Sequence, residues 1–136
     1  MVSSFGNILN LIIFLILTAG WAFYAFQMIF GTRAFFDRFN MNHSALIMGR
    51  FVGSFAAGAV ILHLVILFNG TTGAWLLFTY FLTQGVIAAL LSLWSIQSKD
   101  GVDEGVKYTF EPVVAPLVFC AGYAFLLWRM SGILYA

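Results

Sequence analysis

The chain has 136 residues, of which 62% are hydrophobic and 8% charged, with a formal net charge of +1. A soluble domain carries about 25% charged residues, and no soluble core of this size could hide so much apolar surface, so lipid must cover it. The near-neutral balance, with no Lys/Arg cluster, argues against nucleic acid as a partner, and the single cysteine, Cys120, excludes an internal disulfide and a multi-cysteine metal site.

Almost all the charge falls within residues 31–50 and 99–111, and the rest is nearly unbroken hydrocarbon and aromatic sequence. The apolar runs are long enough to cross a bilayer core about 30 Å thick. The sequence therefore predicts an all-α, polytopic integral membrane protein. It is read as one domain over residues 1–136, with four transmembrane helices in an up-down bundle and spans at about 5–30, 45–68, 74–96 and 112–133.

No basic residue precedes the first span, which reads as a retained helix rather than a secretory signal. Asn10, Gly20, Tyr24 and Gln27 fall within about a third of its circumference, a polar-leaning face expected to avoid lipid. Trp21, deep in the span, is expected against a neighbouring helix or lipid. The connection that follows mixes Arg33, Phe35, Phe36, Arg38 and Phe39, the blend expected of a short segment anchored among headgroups; a docking surface for a partner is the alternative.

The second span carries the most specific packing signal. Gly49, Gly53 and Ala57 recur every four residues, and Ser54 with Gly58 repeats the spacing on an adjacent strip, giving two small-residue grooves for close helix contact. Arg50, one turn into the span, is expected to pair with Asp37, Asp103, Glu104 or Glu111, or to reach lipid phosphate. His63 could hydrogen-bond to a neighbouring helix or serve as one axial ligand to a haem iron or a chlorophyll magnesium; the sequence requires no cofactor. His43 lies twenty positions earlier, about 30 Å along a helix, so the two histidines cannot share a metal within one chain.

Asn69-Gly70-Thr71-Thr72-Gly73 reads as a tight turn with Thr as the next cap, predicting that the second and third spans form an antiparallel hairpin. On the third span Tyr80, Gln84, Ala88, Leu91 and Ser95 align on one face, expected to join interhelical hydrogen bonding. The connection from Lys99 to Lys107 reads as a flexible solvated loop. In the fourth span Thr109 and Glu111 are placed to cap, Pro112 needs no amide donor, and Pro116 should bend the helix modestly.

Five of the six basic residues (Arg33, Arg38, Arg50, Lys99 and Lys107) flank the first and third connections, and only Arg129 lies toward the other side. That bias predicts connections 31–44 and 97–111 in the cytoplasm and both termini outside, in a bacterial inner membrane or an organellar equivalent. No acid–base pair, phosphate loop or nucleophile with a base beside it points to an enzyme. The expected role is a non-catalytic structural or accessory subunit, with membrane lipids and other membrane subunits or copies of itself as partners. A small transporter or channel working as a homo-oligomer, and a pigment- or haem-binding subunit using His63, are the alternatives.

Overall fold

The structure, a computed structural model, describes residues 2–99 and 104–136. Among these it is helical, without strands, and four helices are long and apolar enough to cross a membrane. These are α1 (Ile8–Ile29), α3 (Leu46–Asn69), α4 (Trp75–Ser98) and α5 (Glu111–Arg129), with the short helices α2 (Thr32–Arg38) after α1 and α6 (Ser131–Leu134) after α5. The chain is an integral membrane protein built as a four-helix bundle.

Each apolar run becomes a helix because a segment in hydrocarbon must satisfy its own backbone. Local chemistry sets the ends. Asn7 caps α1, its Oδ1 accepting from the Asn10 amide at 3.0 Å. The expected caps on α5 do not form: Phe110 holds the N-cap position, and Glu111 turns aside to pair with Arg38 at 2.8 Å. Pro116 is accommodated within a continuous α5.

The pairing of helices departs from the expected hairpin. α1 packs along α3, α4 packs along α5, and contact between α1 and α5 joins the two pairs. Gly70 and Gly73, with φ of 101° and 76°, do make a short turn, yet beyond it the backbones of α3 and α4 scarcely approach each other. Side-chain size explains the difference. A Cβ at Gly53 would lie 2.8 Å from Ile29 Cγ1 and 3.1 Å from the Met28 carbonyl carbon, so α1 can close on α3 only over glycine. At Gly85 a Cβ would meet Cys120 Sγ at 2.6 Å and the Pro116 carbonyl oxygen at 3.3 Å, the same device between α4 and α5. Between α3 and α4 the facing groups are rings, His63 and Phe81, with centroids 5.3 Å apart.

Both ends of the bundle are tied. At one, the Thr71 hydroxyl donates to the Ser4 carbonyl instead of capping α4, and the Gly73 amide donates to the Leu134 carbonyl at 3.1 Å. Phe5, Met130 and Leu134 are buried there. At the other, α2 folds beneath the helices: Asn40 Nδ2 donates to the Gly105 carbonyl at 2.7 Å and the Lys107 amide to the Phe39 carbonyl at 2.9 Å. The core between them is chiefly Phe14, Leu17, Phe78, Phe81, Tyr123 and Leu126.

Candidate functional site

His63 is completely buried, and its surroundings define the most elaborate polar arrangement in the bundle. Its Nδ1 lies 2.6 Å from the Ala59 carbonyl one turn earlier. A carbonyl only accepts, so Nδ1 carries a proton, and in a neutral imidazole Nε2 is then an acceptor. The Tyr123 hydroxyl of α5 donates to Nε2 at 2.8 Å and itself accepts from the Trp21 indole N–H of α1 at 2.7 Å. One chain of hydrogen bonds thus crosses three helices in a single direction, from Trp21 to Tyr123 to His63 to Ala59. Phe14 stacks on the imidazole with centroids 5.0 Å apart, Phe81 stacks on Tyr123 at 5.3 Å, and Phe119 meets Trp21 edge-on. Trp21, expected against a neighbour or lipid, faces neighbours.

This arrangement bears directly on ligation. Both imidazole nitrogens are engaged, and a haem iron or chlorophyll magnesium would have to displace the Tyr123 hydroxyl from Nε2. His43 lies at the α2 end, 2.7 Å from the Asp37 carboxylate. Among the described residues no cluster of His, Cys, Asp and Glu could hold a metal ion.

The two small-residue strips of α3 have different fates. Gly49 lies against Thr32 and Phe36, where a Cβ would come within 2.8 and 2.9 Å, and Gly53 meets α1. The buried line then continues through Ala56, Ala59 and His63, leaving Ala57 only half-buried. A spacing of four at about 100° per residue drifts around the helix, so a line of fours leaves the face that alternating threes and fours keep. Ser54 is exposed, its hydroxyl donating to the Phe51 carbonyl at 2.6 Å, and nothing lies within 4 Å of a Cβ at Gly58.

The expected headgroup anchor is turned largely inward. Arg33 is exposed, but Phe36 and Phe39 are buried and Phe35 is half-buried, because α2 packs under the bundle and offers Phe36 to Gly49. Arg38 lies over the Phe35 and Phe39 rings at 5.2 and 4.7 Å while pairing with Glu111. Arg50 is exposed and forms no ion pair among the described residues: Asp37 faces His43, Glu111 is taken by Arg38, and Glu104 stays apart. Asp103, its other expected partner, lies outside the described residues, as does the middle of the expected loop, 100–103.

On α1, Asn10 is buried with Nδ2 donating to the Phe5 carbonyl at 2.8 Å, though its Oδ1 has no partner. Tyr24 and Gln27 are half-buried, with Phe35 edge-on to Tyr24 at 6.5 Å. The expected internal strip of α4 faces outward instead: Tyr80, Gln84 and Leu91 are exposed, and the buried line is Phe78, Phe81, Gly85 and Ala89. Gly85 selects that face, because only there can α5 close. Thr83 and Gln84 make no hydrogen bond through their side chains among the described residues, and with Tyr80, Ile87, Ala88 and Leu91 they line a shallow groove of about 290 Å³. Sequence reasoning did not single out Tyr123 or Gly85. The available signals were a tyrosine hydroxyl in mid-span, which needs a partner, and a glycine in the middle of the third span, which permits close helix approach. No protein-family model, curated protein or solved structure matches this chain.

Proposed function

We propose that the chain is a non-catalytic subunit of a larger membrane assembly, docked sideways through the α4 face that carries Thr83 and Gln84. The observation behind this reading is an unpaired amide in the wrong solvent. Gln84 offers two donors and a carbonyl acceptor outward from within a span, and hydrocarbon can satisfy none of them. A polar side chain on another transmembrane helix can, at a gain of about 1 kcal/mol per hydrogen bond. The filled axis supports packing over passage: Phe14, Phe78, Phe81 and Tyr123 are each at most 5% exposed, so aromatic rings occupy the space a solute would need. The same reading puts the α2 end in the cytoplasm of a bacterium, because Arg33, Arg38, Arg50, Lys99 and Lys107 gather there against Arg129 alone at the other end.

A photo-crosslinker at Ile87, in native membranes, tests the docking. The expected product is an adduct with a larger polypeptide that weakens in Gln84→Leu and is absent when the crosslinker sits at Phe55 on exposed α3. An adduct with a second copy of the chain would replace this reading with a homo-oligomer, and adducts with lipid alone would end it.

A further inference from the structure

At the α2 end a second cavity, of about 350 Å³, opens between α2, the last turns of α4 and the segment leading into α5. Its surface is mostly apolar, with a small polar share. Leu91, Ile96, Phe35 and Phe39 are apolar, whereas Lys107, Ser92, Ser95 and Thr109 are polar. None of these four polar side chains makes a hydrogen bond or ion pair among the described residues. Among the described residues the acids are committed or apart: Glu111 to Arg38, Asp37 to His43, and Glu104 exposed without a bond to Lys107. The Lys107 backbone is fixed, since its amide donates to the Phe39 carbonyl and Asn40 holds the Gly105 carbonyl two residues earlier. A lysine on a pinned backbone, in the same lining as unbonded hydroxyl residues, can meet an anion with its backbone already ordered.

We propose that this crevice binds a membrane glycerophospholipid, its phosphate on Lys107 and the hydroxyls of Ser95 and Thr109 near the end of α4, its acyl chains running deeper along Leu91. The apolar wall argues for a lipid over a soluble phosphate. Leu91 is 52% exposed and lies on a helix that crosses the membrane, so one end of the crevice is open to hydrocarbon, while Lys107 and Thr109 are exposed just before α5 begins. Exposed Trp94, on the same turns of α4, has the amphipathic ring that settles at headgroup depth. An amphiphile fits that gradient, and a free ion would use only half of it.

The test measures lipid retained by the purified full-length chain after detergent washing, by native mass spectrometry and lipid extraction, and then rebinding from nanodiscs. The wild type is expected to keep one phospholipid, and Lys107→Gln to lower retention about five-fold or more, as loss of one near-surface cation implies. Lys107→Arg should retain it, and Ser95→Phe, which fills the crevice while leaving Lys107 in place, should also release it. Unchanged melting of Lys107→Gln confirms an intact fold. Equal retention by Lys107→Gln, equal binding of diacylglycerol, which lacks phosphate, or displacement by millimolar glycerol 3-phosphate would each overturn the proposal, the last in favour of a soluble phosphate site. The crevice shares only Leu91 with the Gln84 groove, and the substituted residues, Lys107 and Ser95, lie outside that groove, so with lipid as the readout failure here leaves lateral docking untouched.

Discussion

The interior of the bundle and the outward face of α4 treat polar groups in opposite ways. Inside, Trp21, Tyr123 and His63 come from three helices and use one another's donors and acceptors in a closed series. Outside, Thr83 and Gln84 have no partner at all among the described residues. A polar group in a membrane specifies a neighbour; where the chain supplies that neighbour the group fixes the fold, and where it does not, the group marks an outer contact.

Substitutions can break this contrast, and they rank by how much of the bundle they disturb. The largest effect is expected at Gly85→Leu, which drives a side chain into Cys120 and the Pro116 carbonyl and should cost at the upper end of about 1–3 kcal/mol. Unfolding in mixed detergent micelles reads it, and Cys120→Gly should recover part of the loss. Tyr123→Phe removes the link between Trp21 and His63, leaving an indole donor and an imidazole acceptor buried, and should cost about 1–2 kcal/mol in the same assay. A double-mutant cycle with His63→Leu sharpens that result, since the pair should be less damaging together than the sum of the singles. Smaller still is Arg38→Gln: its ion pair is about half exposed, with side-chain exposures of 46% and 54%, so the loss should stay below about 1 kcal/mol and shrink with added salt. Gln84→Leu should leave the isolated chain within about 0.5 kcal/mol of wild type while weakening lateral capture, and a marked destabilisation would show that the amide has an internal role.

Much of the fold was legible because hydrocarbon length and charge segregation leave few choices. The spans at 5–30, 45–68, 74–96 and 112–133 correspond to α1, α3, α4 and α5, with differences only at their ends. Which helix lies against which was not legible. The short turn at 69–73 suggested a closely packed hairpin, but turn length fixes only where two helices begin, while ring size and glycine position decide whether they stay together. The facing of the α4 strip was likewise not legible, because Tyr80, Gln84 and Ser95 form a polar line with no indication of which way it faces until Gly85, on the neighbouring side of the helix, pins that side to α5. His63 stood out as a buried polar group; its partner did not, since a hydrogen bond between residues 63 and 123 leaves no spacing to read.

The bond from Gly73 to Leu134 has a consequence for how the protein is made. The turn joining α3 to α4 is synthesised early, yet the carbonyl that receives its amide belongs to α6 and emerges from the ribosome some sixty residues later. Insertion of α1 and α3 can therefore proceed as a pair, but the clasp over Phe5 cannot shut until Leu134 has cleared the translocation machinery. Premature termination anywhere before that point should yield an unlatched intermediate, exposed to the membrane's quality-control proteases.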